Sequence, residues 1–474
     1  MIEINFNGKS KSLLQISGDI IIISLIREYF SIPNPAYRSN TSYVSSRLYS
    51  ITPSGKFEIG LLGEVIKFLT EKNYSFKVNE DVKKAYKPGI LPKNLTELKI
   101  EYRDYQKKAI VSSILQGRGV VVLPTASGKT LVMAGLIETL RENINNKNAL
   151  TLVLVPSIQL IEQTYKDFID YGLKNVTKWS GNNKPDPSAN IIIAGTQILL
   201  SKQTDLSILA NVDIFLCDEC HGIRKGNNIN KIFNYIPTLY KYGFTGTMPP
   251  SKIDQWNIIG KFGPVNYEEK TITLKKQTYV SNFRIVILKI IHQNMPKVFM
   301  NYSKPAQVYQ EELEFLINNE RRNLVISNLA LKLDQNTLIM VDRINHGLIL
   351  EKLLYNLNDL NKSIYFIRGS TDIEEREQIR ELLNNSSSSI IIAISKIFST
   401  GINIPNLHNI IFGSAGKAKI KIMQSIGRAL RLHPTKKIAT IFDIADNTKY
   451  GKVHLQERKK LYENEKYEYQ EKEI

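Results

Sequence analysis

The sequence predicts an α/β protein: two parallel-sheet domains in tandem, preceded by a small α/β (α+β) N-terminal domain. Three observations carry this. Short β-branched runs alternate with helical stretches from Ile100 onward, and the alternation resumes after Gly263-Pro264. The runs are apolar throughout, as strands are when helices cover both faces of a sheet. A length of 474 residues exceeds one core and suits two or three domains.

Taken in order, residues 1–94 form the small domain, with apolar runs at Ile20 to Ile26 and Leu61 to Leu69 around a stretch with Tyr37, Arg38, Tyr43, Arg47 and Tyr49, whose interleaved rings and charges suit DNA contact and equally an ordinary Tyr-rich surface. Lys83 to Lys93, with Pro88, Gly89 and Pro92, reads as a linker. In residues 95–265 the expected strands are Val120 to Leu123, Leu150 to Val155, Ile191 to Ala194 and Asp213 to Cys217. In residues 266–474 they are Thr337 to Val341, Ser363 to Ile367, Ser389 to Ile394, Asn409 to Phe412 and Ala439 to Asp443. The last twenty or so residues, dense in Lys, Glu and Tyr, read as a surface helix.

Composition narrows the function classes. The net charge of +18 favours a polyanionic partner, although an Ile-, Asn- and Lys-rich AT-biased genome would produce the same balance. No run approaches the length of a membrane span, and the N-terminus lacks a signal-peptide layout, so a cytoplasmic protein is expected. Cys217 and Cys220 have CxxC spacing without a second Cys/His pair, and read as small residues beside a carboxylate pair rather than as a metal or redox site.

Two motifs carry chemistry. Leu123-Pro124-Thr125-Ala126-Ser127-Gly128-Lys129-Thr130 follows an expected strand and precedes an apolar helix, so backbone N–H groups and the helix dipole would face a phosphate. Lys129 would reach the β- and γ-phosphates of ATP, and Thr130 would offer its hydroxyl to Mg²⁺. The loop departs from the general pattern, with Leu123 where it has Gly and Ala126 where Gly is frequent. The second motif, Asp218-Glu219-Cys220-His221, ends another buried strand. Phosphoryl transfer needs charge neutralisation and a positioned water. Asp218 would hold Mg²⁺, and Glu219 would activate the water.

With these motifs in place the chain resembles the superfamily 2 helicases of the DExH-box type, over roughly residues 100–445. Tyr102-Arg103-Asp104-Tyr105-Gln106 resembles the adenine-reading motif, which assigns Gln106 and Arg103 to the base. Val155-Pro156-Ser157 and Gly195-Thr196-Gln197 resemble motifs that grip the nucleic-acid backbone, placing Pro156, Ser157, Gly195 and Thr196 there. Thr245-Gly246-Thr247 resembles the coupling motif, toward which His221 would relay the nucleotide state. In the second domain Phe366 to Gly369 and Ser395 to Pro405 resemble the backbone-contact and fifth motifs. They imply nucleic-acid contacts from Gly369, Ser395 and Thr400 and nucleotide contacts from Gly401 and Asn403, the last standing where many relatives have Asp. Gln424-Ser425-Ile426-Gly427-Arg428-Ala429-Leu430-Arg431 resembles the sixth motif, with Gln424, Arg428 and Arg431 catalytic, the two arginines sharing a helix face.

The resemblance implies two RecA-like motor domains. ATP and Mg²⁺ would lie in the cleft between them, with Thr125, Ala126, Ser127, Gly128, Lys129 and Thr130 cradling the phosphates. The whole chain is further similar to the UvsW-type recombination helicases of T-even-like bacteriophages. That likeness implies a monomer in the host cytoplasm that acts on branched, duplex or single-stranded DNA, alongside other recombination proteins. Four alternatives stay open at this point: an RNA helicase, a restriction-enzyme motor subunit, a P-loop kinase or GTPase, and a DNA-annealing or binding protein with an accessory ATPase.

Overall fold

The computed structural model describes residues 1–8, 11–37, 45–181, 184–276, 282–293, 295, 305–368, 378–379, 381–383, 386, 388–395, 406–413 and 438–474. The first domain comprises β1 (Ile2–Phe6), β2 (Leu13–Ser17), α1 (Ile20–Tyr29), β3 (Ser31–Pro33), β4 (Arg47–Tyr49), β5 (Lys56–Glu58), α2 (Leu62–Glu71), β6 (Phe76–Val78) and α3 (Glu80–Tyr86). Its sheet runs β5-β2-β1-β6, antiparallel except for the parallel β1–β6 pair, and β3 pairs antiparallel with β4. Both expected apolar runs are helices. Asp19 starts α1 by accepting the N–H groups of Ile21 and Ile22, and α2 buries Leu62, Val65, Phe68 and Leu69.

The next elements are α4 (Asp104–Gln116), β7 (Gly119–Val122), α5 (Lys129–Asn143), β8 (Thr151–Val155), α6 (Ile158–Tyr171), β9 (Val176–Trp179), β10 (Ile191–Gly195), α7 (Thr196–Leu200), β11 (Ile214–Cys217), β12 (Tyr240–Thr245), α8 (Lys252–Phe262) and β13 (Val265–Glu268). Their seven strands form one parallel sheet in the order β13-β7-β12-β11-β8-β10-β9. Every residue of β7, β8, β10 and β11 is buried, which is why those strands were legible as continuous apolar runs.

Then follow α9 (Thr271–Lys276), β14 (Asn282–Ile290), α10 (Pro305–Asn318), α11 (Glu320–Lys332), β15 (Thr337–Val341), α12 (Ile344–Leu357), β16 (Ser363–Ile367), β17 (Ser389–Ile394), β18 (Asn409–Phe412), β19 (Ile438–Asp446), α13 (Lys449–Asn464) and β20 (Tyr469–Glu473). The second sheet is parallel as well, in the order β16-β17-β15-β18-β19-β14-β20. The expected fold class, two tandem parallel-sheet domains behind a small mixed one, is what forms.

Two local expectations are corrected. The C-terminal stretch is helical only to Asn464; Tyr469–Glu473 pairs in parallel with β14 as an edge strand, its Glu471 carboxylate meeting Lys289 and Lys459. Residues 83–93 are also no free tether. Helix α3 runs to Tyr86, and beyond it the chain is laid along the first large sheet's helices. Gln116 Nε2 donates to Tyr86 O (3.2 Å), Asn143 Nδ2 to Ile90 O (3.0 Å) and the Thr96 N–H to Thr139 Oγ1 (3.0 Å). A Cβ on Gly89 would lie 1.9 Å from Ile114 O, so only glycine permits this approach.

The small domain packs on α8 in the same manner. A Cβ on Gly60 would fall 1.9 Å from Ile259 O, the Phe30 ring packs 5.2 Å from that of Trp256, and Glu58 pairs with Lys261. The chain divides into two compact units, one of Met1–Leu123 with Gly128–Glu269 and another of Lys270–Ile474 with Pro124–Ser127.

Candidate functional site

Sheet order decides what meets at the C-terminal edge of the first large sheet. In a parallel sheet all loops that follow strands emerge on one edge, and ligands bind where that edge opens. The neighbours β7, β12 and β11 end in the phosphate loop, in Thr245 and in Asp218-Glu219 respectively. The neighbours β8, β10 and β9 end in Pro156-Ser157, in Thr196 and in Ser180.

On the first half of the edge, the Leu123 N–H donates to Thr245 O (2.9 Å), tying the loop's first residue to β12. The Ser127 N–H and Oγ both donate to Pro124 O (3.2 and 2.6 Å), closing the turn. Ala126 is left-handed at φ 68°, and so is Gly128 at φ 76°. This explains why glycine is frequent at the position Ala126 holds; alanine there costs about 1–2 kcal/mol of backbone strain. At Gly128 there is a second reason: a Cβ would lie 2.6 Å from Gln106 Nε2. Helix α5 starts at Lys129 with Thr130 in its first turn. Lys129 Nζ lies 3.4 Å from Leu123 O and 3.9 Å from Glu219 Oε1.

Asp218 is anchored by its own N–H, which donates to Leu154 O (2.8 Å) on β8, and its Oδ1 accepts the Glu219 N–H (2.9 Å). Burial first, and then the adjacent Glu219 charge, push the Asp218 carboxyl well above the usual carboxylate range; Lys129 opposes both. Glu219 is left-handed at φ 48°. The other described non-glycine residues with positive φ, Ala126 apart, are Asn73, Asn145, Asn175, Asn361 and Lys466, so a carboxylate here is unusual and marks stored strain. Glu219 Oε2 lies 3.2 Å from His221 Nδ1, which is 3.0 Å from Thr245 Oγ1; that hydroxyl donates to Thr247 O (2.9 Å). The relay read from the sequence is thus a continuous set of contacts. The oxygens of Thr130 and Asp218 are hard donors that fit Mg²⁺, and a divalent cation would relieve the crowding of two carboxylates beside one lysine.

Gln106 makes a contact that its sequence reading did not include. Its Oε1 accepts the Arg103 N–H (2.9 Å), so the side chain caps its own helix and is buried, while Arg103 Nη1 approaches Tyr105 OH at 3.3 Å. Cys217 and Cys220 are free and buried, and burial raises both thiols far from the reactive range.

The second half of the edge bounds a cavity of about 680 Å³. Pro156, Ser157, Gly195 and Thr196, the residues that the sequence assigns to the nucleic-acid backbone, line it. Ser157 also caps α6, accepting the Leu160 N–H at 3.4 Å. Trp179, Lys184, Gln203 and Thr204 line the same cavity and were missed from sequence, because they belong to no contiguous motif.

In the second sheet Ser395 is buried, and its Oγ donates to Val341 O (3.2 Å). Gly369, Thr400, Gly401, Asn403, Gln424, Arg428 and Arg431 lie outside the described residues. Of the small domain's Tyr/Arg set, Arg47 pairs with Glu28 (2.7 Å) and Arg27 covers the Tyr49 ring at 3.5 Å, so these serve the β3–β4 hairpin; Tyr37 is exposed, and Arg38 and Tyr43 lie outside the described residues. No described helix is long and apolar enough to cross a membrane.

Comparison with known proteins agrees with this layout. Residues 99–250 match the family described as "Type III restriction enzyme, res subunit", and residues 320–433 match "Helicase conserved C-terminal domain". The ATP-dependent DNA helicase uvsW of Enterobacteria phage T4 is 29% identical, with 94% of each chain covered. A DNA 3'-5' translocase, XPB2 of Sulfurisphaera tokodaii, is 25% identical over 78% of this chain and 85% of its own. The fold is shared with the RNA-bound Dbp5 of S. cerevisiae, at a TM-score of 0.55 and 15% identity, covering 78% of this chain and 89% of that one. The chain therefore belongs to the superfamily 2 helicases of the DExH-box type, nucleic-acid-dependent ATPases, and within them it is UvsW-like.

Proposed function

We propose that this chain is an ATP-dependent DNA helicase or translocase that remodels branched DNA in recombination and repair: regressing forks, migrating Holliday junctions and unwinding R-loops. The division of one sheet edge carries the reading. Its β7-β12-β11 half presents Lys129, Asp218, Glu219 and the His221–Thr245 contact; its β8-β10-β9 half presents Ser157 and Thr196 around an open cavity. Likeness to a phage DNA helicase and to a DNA translocase supports DNA over RNA as the track.

In this mechanism Lys129 holds the β- and γ-phosphates of ATP, and Thr130 and Asp218 hold Mg²⁺, which supplies charge neutralisation when bound. Glu219 takes the proton of the attacking water and passes the change in its environment to His221 and Thr245. Arg428 and Arg431 of the sixth motif stabilise the charge that develops on the γ-phosphoryl group.

Glu219→Gln tests the assignment. DNA-stimulated ATP hydrolysis should fall about 10²–10⁴-fold, the range of a positioned general base, while ATP binding persists. Stimulated hydrolysis that survived the change would remove Glu219 from the role. Unwinding of a forked DNA set beside a duplex RNA decides the track.

A further inference from the structure

We infer that the cavity on the β8-β10-β9 half of the edge is a binding site for one unstacked nucleobase of the bound DNA strand. This rests on the proposed reading of the chain as a DNA motor and adds what that reading lacks, a place for a base rather than for the backbone.

Size is the first ground: about 680 Å³ falls within the roughly 300–1,000 Å³ of sites that enclose small organic ligands. Lining is the second. Ile158, Ile198, Ile208 and Pro185 give apolar walls, whereas Gln197 and Gln203 bring neutral amides. Amides with apolar walls suit the donor and acceptor edge of an uncharged base, which is how flipped or splayed bases are held. A site for phosphate alone would be lined by cations, and this one has Lys184 offset by Asp205.

Trp179 is the third ground. Only 4% of it is exposed, yet it lines the cavity. An aromatic ring at the wall of such a cavity suits stacking on a base, and its N–H can donate to an acceptor there. Position is the fourth. Ser157 and Thr196, at the starts of α6 and α7, line the same cavity, so a strand gripped there by its phosphates would have a base within reach of it.

Trp256 is the only other tryptophan, and it sits at the joint with the small domain, so Trp256→Phe leaves Trp179 as sole reporter. In that variant a single-stranded oligonucleotide should change Trp179 emission, and an abasic strand of equal length should not. Equal changes with both strands, or none with either while DNA still stimulates hydrolysis, would overturn the site. Absence of any DNA stimulation would instead sink the DNA reading itself.

Filling the cavity with Ile208→Trp should weaken binding of the normal strand about ten-fold and leave the abasic strand unaffected. Gln203→Ala, an exposed change that spares packing, should lower the same affinity ratio in the same direction. Equal losses for both strands in both variants would show that the cavity holds no base.

Discussion

Lys241 gives the most quantitative test of the described packing. It is the second residue of β12, only 2% exposed, at the end of the strand opposite Thr245. Around it are Arg118, itself buried and donating to Phe262 O (2.9 Å) and Lys261 O (3.2 Å), and Lys261; Glu58 is the one carboxylate acting on it. Burial first, and then Arg118, push its ammonium down to about 7 from an ordinary 10.5. Because the folded value lies below the unfolded one, the unfolded chain holds the proton more tightly between pH 7 and 10.5. The burden on folding is therefore complete below pH 7 and is lifted as pH rises toward 10.5. At ~1.36 kcal/mol per unit the burden has an upper limit of about 5 kcal/mol. Lys241→Met keeps the stem and removes the charge. Urea unfolding should show a variant more stable than the parent by a few kcal/mol at pH 6.5, with the gain shrinking steadily through pH 8 and 9.5. A gain that did not vary with pH, or a variant less stable throughout, would refute the buried-cation account.

Other outcomes follow from the same structure. Gly60→Ala puts a methyl into the backbone of α8 and should cost about 1–3 kcal/mol or more in thermal or urea unfolding, because backbone cannot yield as a side chain can. Ala126→Gly should release about 1 kcal/mol of left-handed strain in the phosphate loop, partly offset by unfolded-state entropy, and ATP affinity should be retained by equilibrium titration. Arg428→Ala should leave ATP binding nearly intact and lower DNA-stimulated turnover about 10³–10⁵-fold in single-turnover assays.

What could be read from sequence, and what could not, divides along burial. Thr337–Val341, Ser389–Ile394 and Asn409–Phe412 match their expected limits, because central parallel strands must be apolar on both faces, and the edge strand Ser363–Ile367 matches through its own apolar run. Tyr469–Glu473 was unreadable for the opposite reason: an edge strand needs only its backbone to pair, and Tyr-Gln-Glu-Lys-Glu looks like a helix surface. The phosphate loop and the carboxylate pair were legible because chemistry fixes their residue types at short spacing. The cavity was not, since Trp179, Lys184, Gln203 and Thr204 come from the end of β9 and the segments after β9 and β10 rather than from a pattern. The helix-capping contact of Gln106 was equally hidden, because only the folded chain shows that its Oε1 meets the Arg103 N–H.

On the proposed roles, the strand order would link nucleotide chemistry to strand grip. β11 lies between the two halves of the edge, paired with β12 on one side and β8 on the other. Toward β12, Glu219 reaches Thr245 and Thr247 through His221, side chain to side chain. Toward β8, the Asp218 N–H is bonded to Leu154 O, and the chain from Leu154 reaches Ser157 within three residues. The first route runs through side chains; the second is backbone of the sheet. On those roles, a change at Glu219 would reach Thr245–Thr247 through side chains while the sheet holds Ser157 and Thr196 in register. Loss of the His221 contact should consequently separate hydrolysis from strand movement without dismantling either half.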